Sequence, residues 1–253
     1  MSVRAITVDL WGTLLVDPPS SDNRYKARRL RDFENILTGA GVRVSSAALD
    51  RAYEASAVHL SRIWAKHRDV PVADHVRAIV GAVGGALPGR LPPDVVAALV
   101  DAYARPVLLV PPAVDGGALK ALSALREEGY TLALVSNTMR TPGATLRKLL
   151  ERFGLLRCFA HTVFSDEIGI RKPDPAIFLG ALRAIGGDPA TAIHVGDDAV
   201  LDVSGARAAG MRAIQVTSAP LKALGSRRPD VAIPSLSALP DAVARLAAGA
   251  PPV

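Results

Sequence analysis

Residues 3–9, VRAITVD, run apolar and β-branched up to a single carboxylate, and Gly12-Thr13 follows almost at once. A short apolar run closed by turn residues predicts a buried strand ending at Asp9. From about residue 22 the period changes, with Tyr25, Leu30, Phe33, Ile36 and Leu37 returning at helical spacing. Further helices are expected over about 46–67, 72–83 and 93–104. Pro71 and Pro92-Pro93 stand at helix starts, where the missing N–H would have no intrahelical partner anyway. No strand pattern interrupts this stretch before about residue 105.

Beyond Pro111-Pro112 the pattern alternates. A helix at about 115–128 leads to the apolar strand TLALVS at 131–136, and a helix at 142–153 to a short strand near 161–165. A Pro-started helix at 175–185, the strand AIHVGDD, a helix at 199–209 and the strand RAIQV complete the series, and the tail at 231–248 has room for one strand and one helix. Strands separated by helices of this length predict an α/β fold with a doubly wound, Rossmann-like parallel sheet. The expected division is a core over 1–17 and 112–253, with an all-helical insertion over 18–111 directly after the first strand. There is no internal repeat.

Composition narrows the class. Hydrophobic residues make up 49% and charged residues 21%, which excludes wholesale disorder. Cys158 is the one cysteine, so neither an internal disulfide framework nor a cysteine-based zinc cluster is available. No apolar run approaches the roughly 18 residues of a membrane span, and the N-terminus lacks the pattern of a signal peptide, so a cytoplasmic protein is expected. The formal net charge is +6, but the basic residues are dispersed. Their densest run, Arg24, Lys26, Arg28, Arg29 and Arg31, reads as a solvated helix face, or else as lending a charge to an anionic substrate, rather than as a nucleic-acid surface. A small anionic substrate accounts for the charge equally well, and a homodimer is the default assembly. His59, His67 and His75 are read as surface residues and His194, inside an apolar strand, as structural.

Ligands of a parallel sheet gather at the carboxyl ends of its strands. The residues expected there are Asp9, Ser136-Asn137, Lys172 and Asp197-Asp198. One crevice would then hold a carboxylate nucleophile, a cation-binding acid cluster and a charge-neutralising Lys. Asp197-Asp198 with Asp202 could also serve a helix N-terminus, and Ser136-Asn137 could cap the following helix.

These residues carry a resemblance. DLWGTL at 9–14, LALVSN at 132–137, RKPDPAIF at 171–178 and VGDDAVLDVSGARAAGM at 195–211 resemble, in order and spacing, the four motifs of the haloacid dehalogenase (HAD) superfamily. The helical insertion is similar to that superfamily's C1 cap. The resemblance implies that Asp9 is a nucleophile forming a covalent aspartyl intermediate, which splits one hard displacement into two. It implies that Thr13, Ser136 and Asn137 hold the transferred group's oxygens and that Lys172 neutralises charge. It also implies that Asp197, with Asp198 or Asp202, holds Mg²⁺ together with Asp9 and the backbone carbonyl of Trp11.

Trp11 departs from the phosphatase pattern, which has at this position a second Asp that protonates the leaving group. An indole cannot transfer protons near neutral pH, and general acid catalysis is worth about 10²–10⁴-fold. Haloacid dehalogenases have an aromatic residue there, and halide leaves unprotonated. The fourth motif points the other way, because GDD followed by Asp202 keeps the acid-rich phosphatase form, and three acids at one strand end are costly without a cation. Phe178 stands where the dehalogenases have Tyr, and no cap Arg matches their halide ligand. The expected activity is a Mg²⁺-dependent phosphatase on a small phosphorylated metabolite. Its leaving group is either intrinsically good or is protonated from the substrate or the cap, where Asp17 and Asp22 are nearest. The alternatives are carbon–halogen hydrolysis and a weakly catalytic binding protein; Trp11 could equally shape an apolar substrate pocket.

Overall fold

The structure is a computed structural model that describes residues 5–16, 21–217 and 228–248; Asp17 and the expected boundary at 17/18 lie outside these. Six parallel strands form the main sheet: β1 (Ala5–Val8), β4 (Thr131–Ser136), β5 (His161–Phe164), β6 (Ala192–Gly196), β7 (Arg212–Val216) and β8 (Val231–Ile233). Their order is β5-β4-β1-β6-β7-β8. The chain first builds outward from β1 through β4 to β5, then crosses back to β6 and builds the other way. The reversal places the crevice of a doubly wound sheet at the carboxyl end of β1.

Side chains of successive strand residues point to opposite faces, and the two faces are packed separately. Ile6, Val8, Leu132, Leu134, Ile193 and Val195 lie against helices α6 (Ala118–Glu127), α7 (Gly143–Arg152) and α11 (Leu239–Ala247). Ala5, Ala133, Val135 and Ala192 lie against α9 (Pro175–Ala184) and α10 (Gly205–Ala208), and a single turn, α8 (Ser165–Ile168), follows β5. Full burial of such Leu, Ile or Phe side chains is worth about 1.5–3 kcal/mol each. A π-helical stretch, Ala199–Ser204, leads into α10 where the sequence predicts ordinary helix. π-turns of this kind often occur at functional sites.

The insertion carries α1 (Ser21–Gly39), α2 (Ser46–Trp64), α3 (Val72–Val83) and α4 (Pro93–Ala104), which share a core of their own around Phe33, Leu49, Ile79 and Tyr103. Tyr25 of α1 and Val107 of the short α5 (Pro106–Leu109) pack instead into the sheet's core. Helix α2 stops at Trp64, short of the expected 67, and His67 turns the chain with φ +55°. Two strands of two residues, β2 (Leu15–Val16) and β3 (Ala113–Val114), pair antiparallel where the chain leaves and re-enters the core. That ribbon is too short to leave a period in the sequence. No helix among the described residues is long and apolar enough to cross a membrane.

Candidate active site

Asp9 follows β1 and its N–H is bonded to the carbonyl of Val195, at 2.8 Å, which fixes its place between β1 and β6. Gly12 follows with φ +81°, and a Cβ there would lie 2.3 Å from Asp197 Oδ2. Gly196 clears space in the same way, since a Cβ would fall 2.3 Å from Asp202 Cγ. Two glycines therefore let two acids approach the backbone and reach Asp9. Asp9, Asp197 and Asp202 each present a carboxylate oxygen, and the three lie within 4.8 Å of one another.

Lys172 Nζ bridges this cluster, donating to Asp9 Oδ1 and, at 2.6 Å, to Asp202 Oδ1. Its backbone is clamped by the Asn137 carboxamide, which donates to the Lys172 carbonyl at 3.0 Å and accepts from its N–H at 2.8 Å. The Thr13 hydroxyl lies 3.2 Å from Asp9 Oδ2 and 3.3 Å from Asp197 Oδ1, so its one proton serves either carboxylate in turn. Behind Asp202, His194 and Thr7 are register partners on β6 and β1. His194 Nε2 lies 3.0 Å from Asp202 Oδ1 and its Nδ1 lies 2.8 Å from the Thr7 hydroxyl.

Burial pushes the Asp9 carboxyl up to about 7; Lys172 opposes this, while Asp202 and Asp197 reinforce it. Burial and Asp202 likewise push Asp197 up to about 6. Burial would also raise Asp202, but the Lys172 ammonium and the His194 bond outweigh it and hold Asp202 below the usual carboxylate range. Burial would lower Lys172, but Asp202 and Asp9 outweigh it and the ammonium is stabilised. Burial lowers His194 despite Asp202, leaving a neutral ring. An ionised Asp202 can only accept, which assigns the ring proton to Nε2 and the Thr7 proton to the bond with Nδ1. Three acids face one ammonium, a deficit of positive charge in a set of hard oxygen donors. That set fits a cation of the Mg²⁺ kind.

Asp198, expected as an alternative metal ligand, is placed elsewhere. Its Oδ1 accepts the N–H groups of Val200 and Leu201 at 2.7 and 2.8 Å, capping the π-helical stretch. Ser136 is fully buried, with its hydroxyl 3.4 Å from the carbonyl of Asn137. Trp11 is half-buried and borders a cavity of about 330 Å³ under the cap, which Asp22, exposed in the first turn of α1, also lines. The basic run divides: Arg24, Arg28 and Arg31 are exposed, but Arg29 is 3% exposed, so it is not part of a solvated face. His75, expected at the surface, is buried against Tyr103, and burial pushes it down to about 4.

The sequence reading missed a second polar cluster. Asp69, on the loop before α3, is buried with its carboxylate accepting from Arg171 Nη1 and the Ser165 hydroxyl, both at 2.5 Å, and from Trp64 Nε1 at 2.9 Å. Backbone bonds from Asp69 N–H to the Gly169 carbonyl and from Arg171 N–H to the His67 carbonyl flank it. This cluster ties the helical insertion to the loop that carries Lys172. Arg171 beside Lys172 was the one visible signal, because Asp69 looks like any loop acid.

A sequence model of the haloacid dehalogenase-like hydrolases matches residues 3–210. The chain is 38% identical over 138 residues to haloacid dehalogenase-like hydrolase domain-containing protein 3 of Mus musculus, covering 53% of each chain. It is 43% identical over 95 residues to a phosphoserine phosphatase of Thermus thermophilus, covering 38% of this chain and 37% of that one. The alignments thus span about half or less of these curated relatives. The solved structure of a 2-haloacid dehalogenase from Pseudomonas syringae pv. Tomato DC3000 superposes with a TM-score of 0.70 at 26% identity, covering 96% of this chain and 99% of that one. The family match runs from the first strand through the helical insertion to the end of α10, and the chain is accordingly a member of the haloacid dehalogenase-like hydrolase family.

Proposed function

We propose that this hydrolase is a Mg²⁺-dependent phosphatase acting on a small anionic metabolite, with Asp9 as nucleophile. The observation that carries the reading is the cluster of Asp9, Asp197 and Asp202 around a single Lys172 ammonium. Asp9, Asp197 and Asp202 are the residues that would hold Mg²⁺, which supplies positive charge against the phosphoryl oxygens. A dianion would otherwise meet net negative charge.

An Asp9 carboxylate oxygen attacks phosphorus while the bond to the ester oxygen breaks, its electron pair leaving with the alcohol or phenol. Water then hydrolyses the aspartyl phosphate, releasing phosphate and restoring the carboxylate. Lys172 holds Asp9 in place and balances the charge it gains and loses. Thr13 orients Asp9 through its hydroxyl, and Asn137 acts by fixing the Lys172 backbone. Ser136, buried at the end of β4 beside Asn137, is the residue expected to hold a phosphoryl oxygen. Trp11 offers no proton, so the substrate has a good leaving group or gains its proton from itself or from Asp22, a cap acid lining the cavity. The relative named phosphoserine phosphatase supports phosphoryl transfer.

The test is phosphate release from an aryl phosphate, which departs without an acid. Mg²⁺-dependent release, lowered about 10³-fold or more in Asp9→Asn, is expected. Release that survives a chelator or the substitution overturns the reading. A second reading, carbon–halogen hydrolysis, is favoured by Trp11 and by the likeness to the 2-haloacid dehalogenase structure. It expects chelator-indifferent halide release from a 2-haloacid.

A further inference from the structure

The cavity above the crevice has a different chemistry from the crevice. Trp11, Tyr25, Tyr53 and Trp64 line it, and so do two guanidiniums, Arg29 and Arg140. Arg29 is 3% exposed and donates to three neutral oxygens: the Tyr103 carbonyl at 2.8 Å, the Tyr53 hydroxyl at 3.2 Å and the Arg140 carbonyl at 3.3 Å. Arg140 lies with its guanidinium carbon 4.0 Å from the centre of the Tyr53 ring, and its Nη1 donates to the Tyr103 hydroxyl at 2.8 Å. Its remaining N–H groups have no protein acceptor among the described residues.

Among those residues neither guanidinium is paired with a carboxylate, whereas Arg105, Arg147 and Arg171 each are. The other cation of the wall, Lys26, is already engaged by Asp50 and Glu54. A buried charge without a counter-ion is costly. Stacking on a tyrosine holds a guanidinium by its face and leaves its donor edge free, the geometry that receives a carboxylate through two parallel hydrogen bonds. The position suits a leaving group: Trp11 is two residues beyond Asp9, and Met139, Arg140 and Thr141 follow the end of β4.

We propose that Arg140, with the charge of Arg29 beside it, is a specificity-determining residue that binds a carboxylate on the leaving group. The substrate is then a phosphomonoester whose alcohol or phenol is itself a carboxylic acid, with a flat or apolar linker lying among the rings. The statement about the phosphate rests on the phosphatase reading; the statement about the carboxylate is testable by binding alone.

Isothermal titration of 4-hydroxybenzoate and 4-hydroxybenzamide into the full chain compares one charge on one shape. The acid is expected to bind about tenfold or more tightly than the amide, and Arg140→Met to remove that difference. Arg140→Lys, which keeps the charge without the fork, is expected to restore part of it. Phosphate release from 4-carboxyphenyl and 4-carbamoylphenyl phosphate with Mg²⁺ should show the same preference, expressed in KM rather than kcat. Equal binding of acid and amide by the unaltered protein overturns the proposal, as does an acid preference that persists in Arg140→Met. Acid-selective binding without hydrolysis of either ester supports the carboxylate subsite and sinks the phosphatase reading. Should Arg140→Met fail to fold, the wild-type comparison and Arg140→Lys still decide.

Discussion

The crevice at the strand ends and the cavity beneath the cap meet at Trp11, yet they differ in sign and in construction. In the crevice three carboxylates surround one ammonium; Asp9 and Asp197 directly follow strands of the central sheet, and Asp202 comes from the π-helical stretch after β6. In the cavity two guanidiniums lie among aromatic rings with no carboxylate partner among the described residues. Backbone geometry aims the first set, because glycines at 12 and 196 admit the acids. Side-chain stacking aims the second. The floor is short of positive charge and the wall beside it is short of negative charge.

Reversing the floor is the harshest way to break this contrast. Lys172→Met leaves three acids with no ammonium, and kcat on an aryl phosphate should fall by about 10³-fold or more. A similar loss from Arg140→Met would mean that the two regions share one role. Next comes the joint between them. Asp69→Ala leaves Arg171 buried without its carboxylate, and chemical denaturation should show a loss of about 3–5 kcal/mol. Combining it with Arg171→Met should cost less than the sum of the two single changes, since the pair is one interaction.

A third change sharpens the contrast at its boundary. Trp11→Asp supplies the missing acid and should raise turnover of an alkyl phosphate by about tenfold or more; no gain would show that the proton comes from elsewhere. The smallest effect concerns the floor without metal. The Asp197 carboxyl is raised to about 6 from an ordinary value near 4. The stability it contributes is therefore complete below pH 4 and is lost as the pH rises through 6. In chelator, Asp197→Asn should melt about 1–3 °C above the unaltered protein at pH 8 and level with it at pH 4. Added Mg²⁺ should close or reverse the gap at pH 8.

The two regions were also unequally legible in the sequence. Asp9, Lys172 and Asp197 stood out because each comes after an apolar run whose direction is set by the sheet, so strand ends could be read as one place; Asp202 came only with the motif at 195–211. The helical insertion was equally plain from its period. What spacing could not supply was which helix residues face inward across two packed regions. Arg29 sat in a run that looked solvated, and three of its four arginines are indeed exposed. Arg140 lay in a loop with no period at all. Asp198 is placed apart from the acid cluster for a local reason, since its side chain accepts the N–H groups of Val200 and Leu201. His194 was read as structural; its ring lies between Thr7, set beside it by the register, and Asp202, brought beneath by the π-helical stretch, and neither partner was visible in the sequence.

The bond between Asp69 and Arg171 bears on how such a molecule could be rebuilt. A helical insertion looks like an exchangeable module, joined by the short ribbon at Leu15–Val16 and Ala113–Val114. Here it is also joined next to Lys172, by a buried ion pair and two backbone hydrogen bonds. A chimaera given a foreign insertion would inherit an Arg171 with nothing to neutralise it and a Lys172 loop cut from its mooring. An exchange that keeps this mooring has to move residues 67–69 and 169–171 together.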